Sequence, residues 1–453
     1  MRPPTPLSAA TRNDGAPAPP AAGLPYWSWN MKKIAIISEH ASPLAVAGGV
    51  DSGGQNVYVA QVARELARVG LQVDVFTRKD NPALEAEHAW LPGIKVVHVP
   101  AGPEVYLPKE RMLPYMDDFA RYLLRYVGAQ ARAYDVIHAN FFMSAWAALP
   151  VAQRYGIPLA VTFHALGKVR RQHQREADLF PDSRFDIETE IARRADRVIA
   201  ECPQDRHDLM ALYGADPGRI EVVPCGYDAA EMAPRPMAQA RAALGWDHQD
   251  FTLLQLGRMV PRKGVDNVIR GLARLRQRHG VAARLCVVGG NSDDADVAAT
   301  PEIGRLRQVA LEEGVAPWVH FTGRRHRDQL AAYYSACDVF VTTPWYEPFG
   351  ITPVEAMACG RPVVGADTGG IRSTVLHGRT GFLVPPRDPD CLGERLALLA
   401  ADPVLCARMG ALGALRARRL YTWKRVGQDL LSVYRRMAAQ AARQDRHAAR
   451  MAA

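Results

Sequence analysis

A chain of 453 residues exceeds one ordinary hydrophobic core, so two domains are expected. Hydrophobic residues at 48% and charged residues at 23% give the profile of a soluble globular protein, with no run of about 18 uninterrupted apolar residues to cross a bilayer. The net charge is +9, and no aromatic-interleaved basic stripe accompanies it, which argues against a nucleic-acid partner.

Residues 1–30 are rich in Pro and Ala and lack the apolar centre of a signal peptide, so they read as a disordered leader. The folded chain is expected to start at Met31, where IAIIS (34–38) reads as a first strand. Asn56 to Val69 then reads as a helix with Val59, Val62, Leu66 and Val69 on one stripe. Further strands are expected at 73–77, 94–99, 135–139, 158–163, 197–201 and 220–224, with helical stretches between most of them. That alternation implies a parallel sheet covered by helices on both faces. Residues 225–250 read as a linker with a short helix. The pattern restarts at 252–257, 284–290, 318–323, 338–343 and 361–366, giving a second doubly wound α/β domain. The domains are therefore expected at 31–224 and 251–420, with the carboxyl ends of both sheets facing one cleft, where ligands of such sheets bind.

A helix is expected over 421–442, since Val426, Leu430, Val433, Tyr434 and Met437 recur at helical spacing and need a surface to pack on. A basic tail follows at 443–453. From Arg416 to Ala453 ten Lys/Arg face only Asp429 and Asp445. This surplus reads either as a solvated helical face or as a weak contact with an anionic membrane, and the pattern leaves both open. The seven cysteines are scattered without a CxxC pair. They suggest neither a zinc site nor a disulfide framework, and they fit a reducing cytoplasm.

Four motifs carry chemistry. Glu347-Pro-Phe-Gly-Ile-Thr-Pro-Val-Glu355 sets two carboxylates around a turn and a helix start, with Thr352 as the expected N-cap and Pro353 as the first helical residue. The backbone N–H groups of Phe349, Gly350, Ile351 and Thr352 would then face an anion. Gly257-Arg258-Met-Val-Pro-Arg-Lys263-Gly264 places two cations after a strand, suited to a departing diphosphate. Gly48 to Asn56, with Gly53 and Gly54, lets backbone approach a ligand, but it holds no GxGxxG dinucleotide signature. Phe163-His164 ends a strand, so the imidazole faces the cleft, followed by Lys168, Arg170 and Arg171.

Together these motifs resemble glycosyltransferase family 4, retaining enzymes of the GT-B fold, over Met31 to about Met437. The resemblance implies two Rossmann-like domains and a nucleotide-diphosphate sugar as substrate, with no cofactor. It implies that Arg258 and Lys263 hold the diphosphate and that Glu347 and His164 contact the transferred hexose. Glu355 would bind the ribose, while Phe349 to Thr352, Gly53 and Gly54 would line the donor. The branch most similar holds inositol-phosphate glycosyltransferases and sucrose-phosphate synthases, and Asn56, Lys109 and Arg184 fall at its acceptor-binding positions. Two positions depart from that pattern: Phe141 stands for a Tyr and Ala165 for a Thr. The expected acceptor is thus a small hydroxyl compound of the phosphorylated sugar or polyol class, with inositol phosphate itself left open. No Asp-x-Asp motif stands at a strand end facing the cleft, and cations take the metal's role, so transfer without a metal is expected, the donor's own phosphate oxygen taking the acceptor proton. An epimerase acting on nucleotide sugars is the alternative, against which the paired GRxxxxKG and two-glutamate motifs argue.

Overall fold

The computed structural model describes residues 31–45, 53–131, 134–246 and 249–452. The expected leader, and Gly48 to Ser52 of the glycine-rich loop, lie outside the described residues. Strands β1 (Lys33–Ile37), β2 (Gln72–Arg78), β3 (Glu87–Leu91), β4 (Ile94–Val99), β5 (Val136–Asn140), β6 (Leu159–Thr162), β7 (Arg197–Ala200) and β8 (Ile220–Val222) form one sheet, in the order β3-β4-β2-β1-β5-β6-β7-β8. All neighbours in it run parallel except β3, which pairs antiparallel with β4 at the edge. The sequence reading passed over β3 because its residues alternate between exposed and half-buried instead of forming an apolar run. Only Pro92-Gly93 separates it from β4, too short for a crossover helix, so a hairpin is the one connection available.

The second sheet comprises β9 (Phe251–Leu256), β10 (Ala283–Val288), β11 (Val319–Gly323), β12 (Val339–Thr342), β13 (Val363–Ala366) and β14 (Gly381–Val384), ordered β11-β10-β9-β12-β13-β14 and parallel throughout. β14 was not foreseen; it is four residues long and begins on Gly381, leaving little apolar signal. The chain order reverses between β1 and β5 in the first sheet and between β9 and β12 in the second. Crevices open at such switch points. Gly54 follows β1, Phe141 follows β5, Arg258 follows β9 and Glu347 follows β12, so the motifs gather at these two openings.

The C-terminal helix, Trp423–Ala452, leaves the second sheet and returns to the first. Val426, Leu430, Val433, Tyr434 and Met437 are buried against the helix Gly54–Arg68 and β5. Gly427 allows the close approach, since a Cβ there would lie 2.6 Å from that of Glu65. Residues 443–452, expected as a tail, continue this helix in the structure. Val69, expected on the buried stripe of the helix Gly54–Arg68, is instead its exposed C-terminal cap, because the chain turns there at Gly70. The chain crosses between the sheets twice, and the crossings bond to each other. Tyr227 N–H donates to Tyr421 O at 2.7 Å, and Trp423 N–H to Tyr227 O at 3.2 Å.

Candidate active site

On the second sheet, the chain leaves β9 through Gly257 and Arg258 and makes a short turn at Pro261–Lys263. Gly264 then caps the helix Val265–His279 with a φ of 66°. A Cβ at Gly264 would fall 2.0 Å from the carbonyl oxygen of Thr343, whose hydroxyl donates to Gly264 O at 2.9 Å. The turn is thereby pinned against the loop after β12. That contact sets Lys263 beside Glu347, its Nζ donating to Oε2 of the carboxylate. Arg262 Nη1 lies 3.9 Å from the same oxygen, a cation the motif reading did not single out. Burial alone would raise the Glu347 carboxyl, but Lys263 and Arg262 outweigh it and hold the group below its usual range. Burial lowers the Lys263 ammonium, opposed by Glu347. Arg258, an exposed residue, adds positive potential to both.

The Pro-Phe-Gly turn ends on Gly350, at φ 92°, which caps the helix Ile351–Ala358. Thr352 is thus the second helical residue and Pro353 the third, not the N-cap and first residue expected. The positive φ at Gly350 starts the helix earlier, and no side chain caps it. Behind the turn, Gly370 N–H donates to Glu347 O at 2.9 Å, and a Cβ on Gly369 would meet that oxygen at 2.0 Å. Two glycines after β13 therefore shape the carboxylate's backbone. Glu355 is 2% exposed, held by Tyr334 Oη at 2.9 Å and by Arg327 Nη2 at 3.1 Å. Phe349 is buried with its ring against Tyr421.

Across the cleft, Gly54 comes within van der Waals reach of the C-terminal half: a Cβ there would sit 3.5 Å from Ile351 Cδ1. Gly53 precedes the helix Gly54–Arg68, and its N–H donates to Asn56 Oδ1 at 3.0 Å, while Asn56 Nδ2 donates to Ser42 O at 3.0 Å. Asn56 is therefore buried and occupied in shaping its own loop. His164 follows β6 with a φ of 58°, its ring edge-on to Tyr58 and hydrogen-bonded to Glu201 and Asn140.

Arg184 lies wholly inside the first domain. Its Nε donates to Glu188 Oε1 at 2.7 Å, Nη2 donates to Ala165 O, and Nη1 meets no hydrogen-bond partner among the described residues. Its guanidinium lies over the rings of Phe141, Phe142 and Phe180. Lys109 opens a short turn whose Glu110 pairs with Arg170 of the helix Gly167–Gln174 at 3.4 Å. Arg184 borders the start of that helix, where a Cβ on Gly167 would strike its Nε. The structure thus sets Lys109 and Arg184 against one helix, while Asn56 belongs to another element.

The two halves touch across the crevice. Gln174 Nε2 donates to Tyr346 Oη at 2.9 Å, the His173 ring stacks on Tyr346, and the Cys202 thiol donates to Pro348 O at 3.3 Å. Beside these contacts a cavity of about 230 Å³ is lined by Leu166, Asp205, Asp208, Tyr346, Glu347 and Arg372. Burial, with the Glu201 charge adding to it, pushes the Asp205 carboxyl up to about 8.

Two facing Rossmann-like sheets, with Glu347 and its cation partner Lys263 at the crevice they share, define a glycosyltransferase of the GT-B class. Residues 52–231 match the model for glycosyltransferase family 4, and residues 237–415 that for glycosyl transferases group 1. A D-inositol 3-phosphate glycosyltransferase of Acidothermus cellulolyticus is 36% identical over 420 residues, covering 92% of each chain. The sucrose-phosphate synthase of Thermosynechococcus elongatus superimposes with a TM-score of 0.82 at 32% identity, over 90% of this chain and 100% of that one. The Anabaena protein HepE, solved with UDP and glucose, shares the fold with a TM-score of 0.68 at 22% identity, over 89% and 99%. The chain belongs to the family 4 glycosyltransferases, and it moves a glycosyl group from a nucleotide sugar to a hydroxyl acceptor. Of the two readings the sequence left, the transferase therefore stands and the epimerase does not.

Proposed function

We propose that the chain transfers a hexose from a UDP-linked donor to a phosphorylated sugar or polyol, with retention of anomeric configuration and without a metal. The observation that carries this is the meeting of Lys263, Arg262 and Glu347 at the crevice, with Arg258 close enough to add to their field. In this reading Arg258 and Lys263 stabilise the diphosphate as the glycosidic bond opens, in a site where fixed charges act strongly. Glu347 accepts from hexose hydroxyls and Glu355 from the ribose, displacing part of its pairing to Arg327. The backbone from Phe349 to Thr352, with Gly53 and Gly54 opposite, encloses the donor, and His164 contacts the hexose. The departing phosphate oxygen takes the proton of the acceptor hydroxyl on the same face of the sugar, so the protein supplies charge and position.

A phosphorylated acceptor is supported by the names of two relatives, a glycosyltransferase of inositol 3-phosphate and a synthase whose named product, sucrose phosphate, carries a phosphate. It is also supported by the unbonded Nη1 of Arg184, which together with Lys109, set against the same helix Gly167–Gln174, would hold the phosphate, while Asn56 shapes the facing loop. Phe141 and Ala165 lack the two hydroxyls of the inositol-phosphate pattern, which favours a different sugar or polyol phosphate. Among the described residues no single helix is long and apolar enough to cross a membrane. The seven cysteines stand as free thiols, which supports a place in the reducing cytoplasm.

Lys263→Ala is expected to lower turnover by about 10²–10³, the range for losing one preorganised charge stabiliser. Near-normal turnover in a folded Arg258→Ala/Lys263→Ala protein would overturn the donor site. Activity should survive chelator, and restoration by a divalent ion after loss would overturn metal independence. A thermal-shift panel of sugar nucleotides, then of sugar and polyol phosphates with UDP present, identifies the substrates, because a ligand of the folded state raises its melting temperature.

A further inference from the structure

We infer that Glu201 and Asn140 hold His164 with a proton on each ring nitrogen, making the ring a fixed cation that cannot accept a proton during transfer. This rests on the reading of His164 as a residue of the hexose site. Glu201, directly after β7, is a positioning residue in this arrangement, and no motif flagged it.

His164 Nδ1 lies 2.9 Å from Glu201 Oε1, and Nε2 lies 3.0 Å from Asn140 Oδ1. A neutral imidazole has one donor nitrogen and one acceptor, so the orientation of the Asn140 amide decides the matter. Asn140 Nδ2 donates to the backbone carbonyl of His138 at 3.3 Å. Reversing the amide would set its oxygen against that carbonyl, with no proton between them. The carbonyl belongs to β5 and cannot turn away, and the His138 side chain is itself fixed between Thr162 and Tyr434. Oδ1 therefore faces His164, which must donate from both nitrogens.

The surroundings agree. The side chains of His164 and Glu201 are 9% and 3% exposed, so water does not replace these partners. A carboxylate buried this deeply needs a cation, and breaking such a pair is costly. Burial alone would raise the Glu201 carboxyl, yet the charge and hydrogen bond of His164 and the thiol of Cys225, 3.0 Å from Oε1, hold it below its usual range. The Tyr58 ring meets His164 edge-on, Asp205 accepts from the Glu201 N–H at 3.0 Å, and Glu347 acts on Glu201 from the opposite half. The φ of 58° at His164 is uncommon for a residue with a side chain and is sustained by these bonds. A ring with both N–H groups committed has no lone pair for the acceptor's proton, so that proton goes to the donor phosphate.

The test is nitrogen NMR of the full chain labelled with ¹⁵N-histidine in neutral buffer, with His164→Asn identifying the signal. Both ring nitrogens of His164 should resonate as protonated, and Glu201→Gln should convert the ring to a neutral tautomer. Turnover in Glu201→Gln should fall about tenfold or more, the factor that one hydrogen bond to a charged group supplies, with partial recovery in Glu201→Asp. A neutral His164 ring in the unmodified protein overturns the inference, whether or not the variants fold, and so does an unchanged ring in Glu201→Gln. Wild-type turnover in His164→Asn would remove His164 from the hexose site, while its protonation would still stand or fall on the spectrum.

Discussion

At the scale of single residues, spacing along the chain singled out Lys263, Glu347 and Glu355 as candidates, because each sits in a motif whose members are a few positions apart. Glu201 and Asn140 were not legible in the same way. They meet His164 sideways across β5, β6 and β7, at separations of 37 and 24 residues, and no local pattern records a lateral neighbour in a parallel sheet. Arg184 shows the converse: its position in the sequence marked it, but only packing reveals that three aromatic rings and Glu188 enclose it. Asp205 gives a prediction in pH. Its folded carboxyl titrates near 8, above the unfolded value of about 3.9, so the native state binds the extra proton between those limits. Its contribution to stability is present below the unfolded value and is lost as pH rises through about 8. Asp205→Asn, which keeps an acceptor for the Glu201 N–H, should therefore gain stability relative to the unmodified chain as pH climbs. Urea midpoints measured across that range check this; parallel curves would mean Asp205 is already ionised.

At the scale of elements, apolar runs located the central strands well, since a strand buried on both faces has little choice of residue. The edges were harder. β3 alternates in exposure and β14 is very short, and both owe their pairing to a neighbour already in place. Helix starts shifted where glycine geometry overrode side-chain capping, as at Gly350. Gly264→Ala is expected to cost about 1–2 kcal/mol from left-handed backbone alone, with the clash against Thr343 added. Urea denaturation would measure that loss, and turnover should drop with it because Lys263 is the adjacent residue. Leu430, fully buried on the returning helix, should cost about 2–5 kcal/mol when changed to Ala. A smaller loss would mean that the helix contributes little to the first domain.

At the scale of the molecule, two sheets were legible from the repeated pattern, but the contacts that bring them together were not. Tyr346 meets His173, Gln174 and Arg262 at once, a junction between segments far apart in sequence. Tyr346→Ala should loosen the crevice, seen as a larger radius of gyration by solution scattering and a raised KM with the fold retained. Unchanged scattering would show that the halves are held by the paired crossings at Tyr227 and Tyr421 instead.

The returning helix has a consequence for biosynthesis. Its buried face belongs to the first sheet, yet it is translated only after the whole of the second. Until then the nascent amino-terminal sheet carries an uncovered greasy groove beside β5, a period in which holdase chaperones would find a client and misassembly would be easiest. A premature stop codon ahead of Trp423 would therefore injure the domain synthesised before the second sheet.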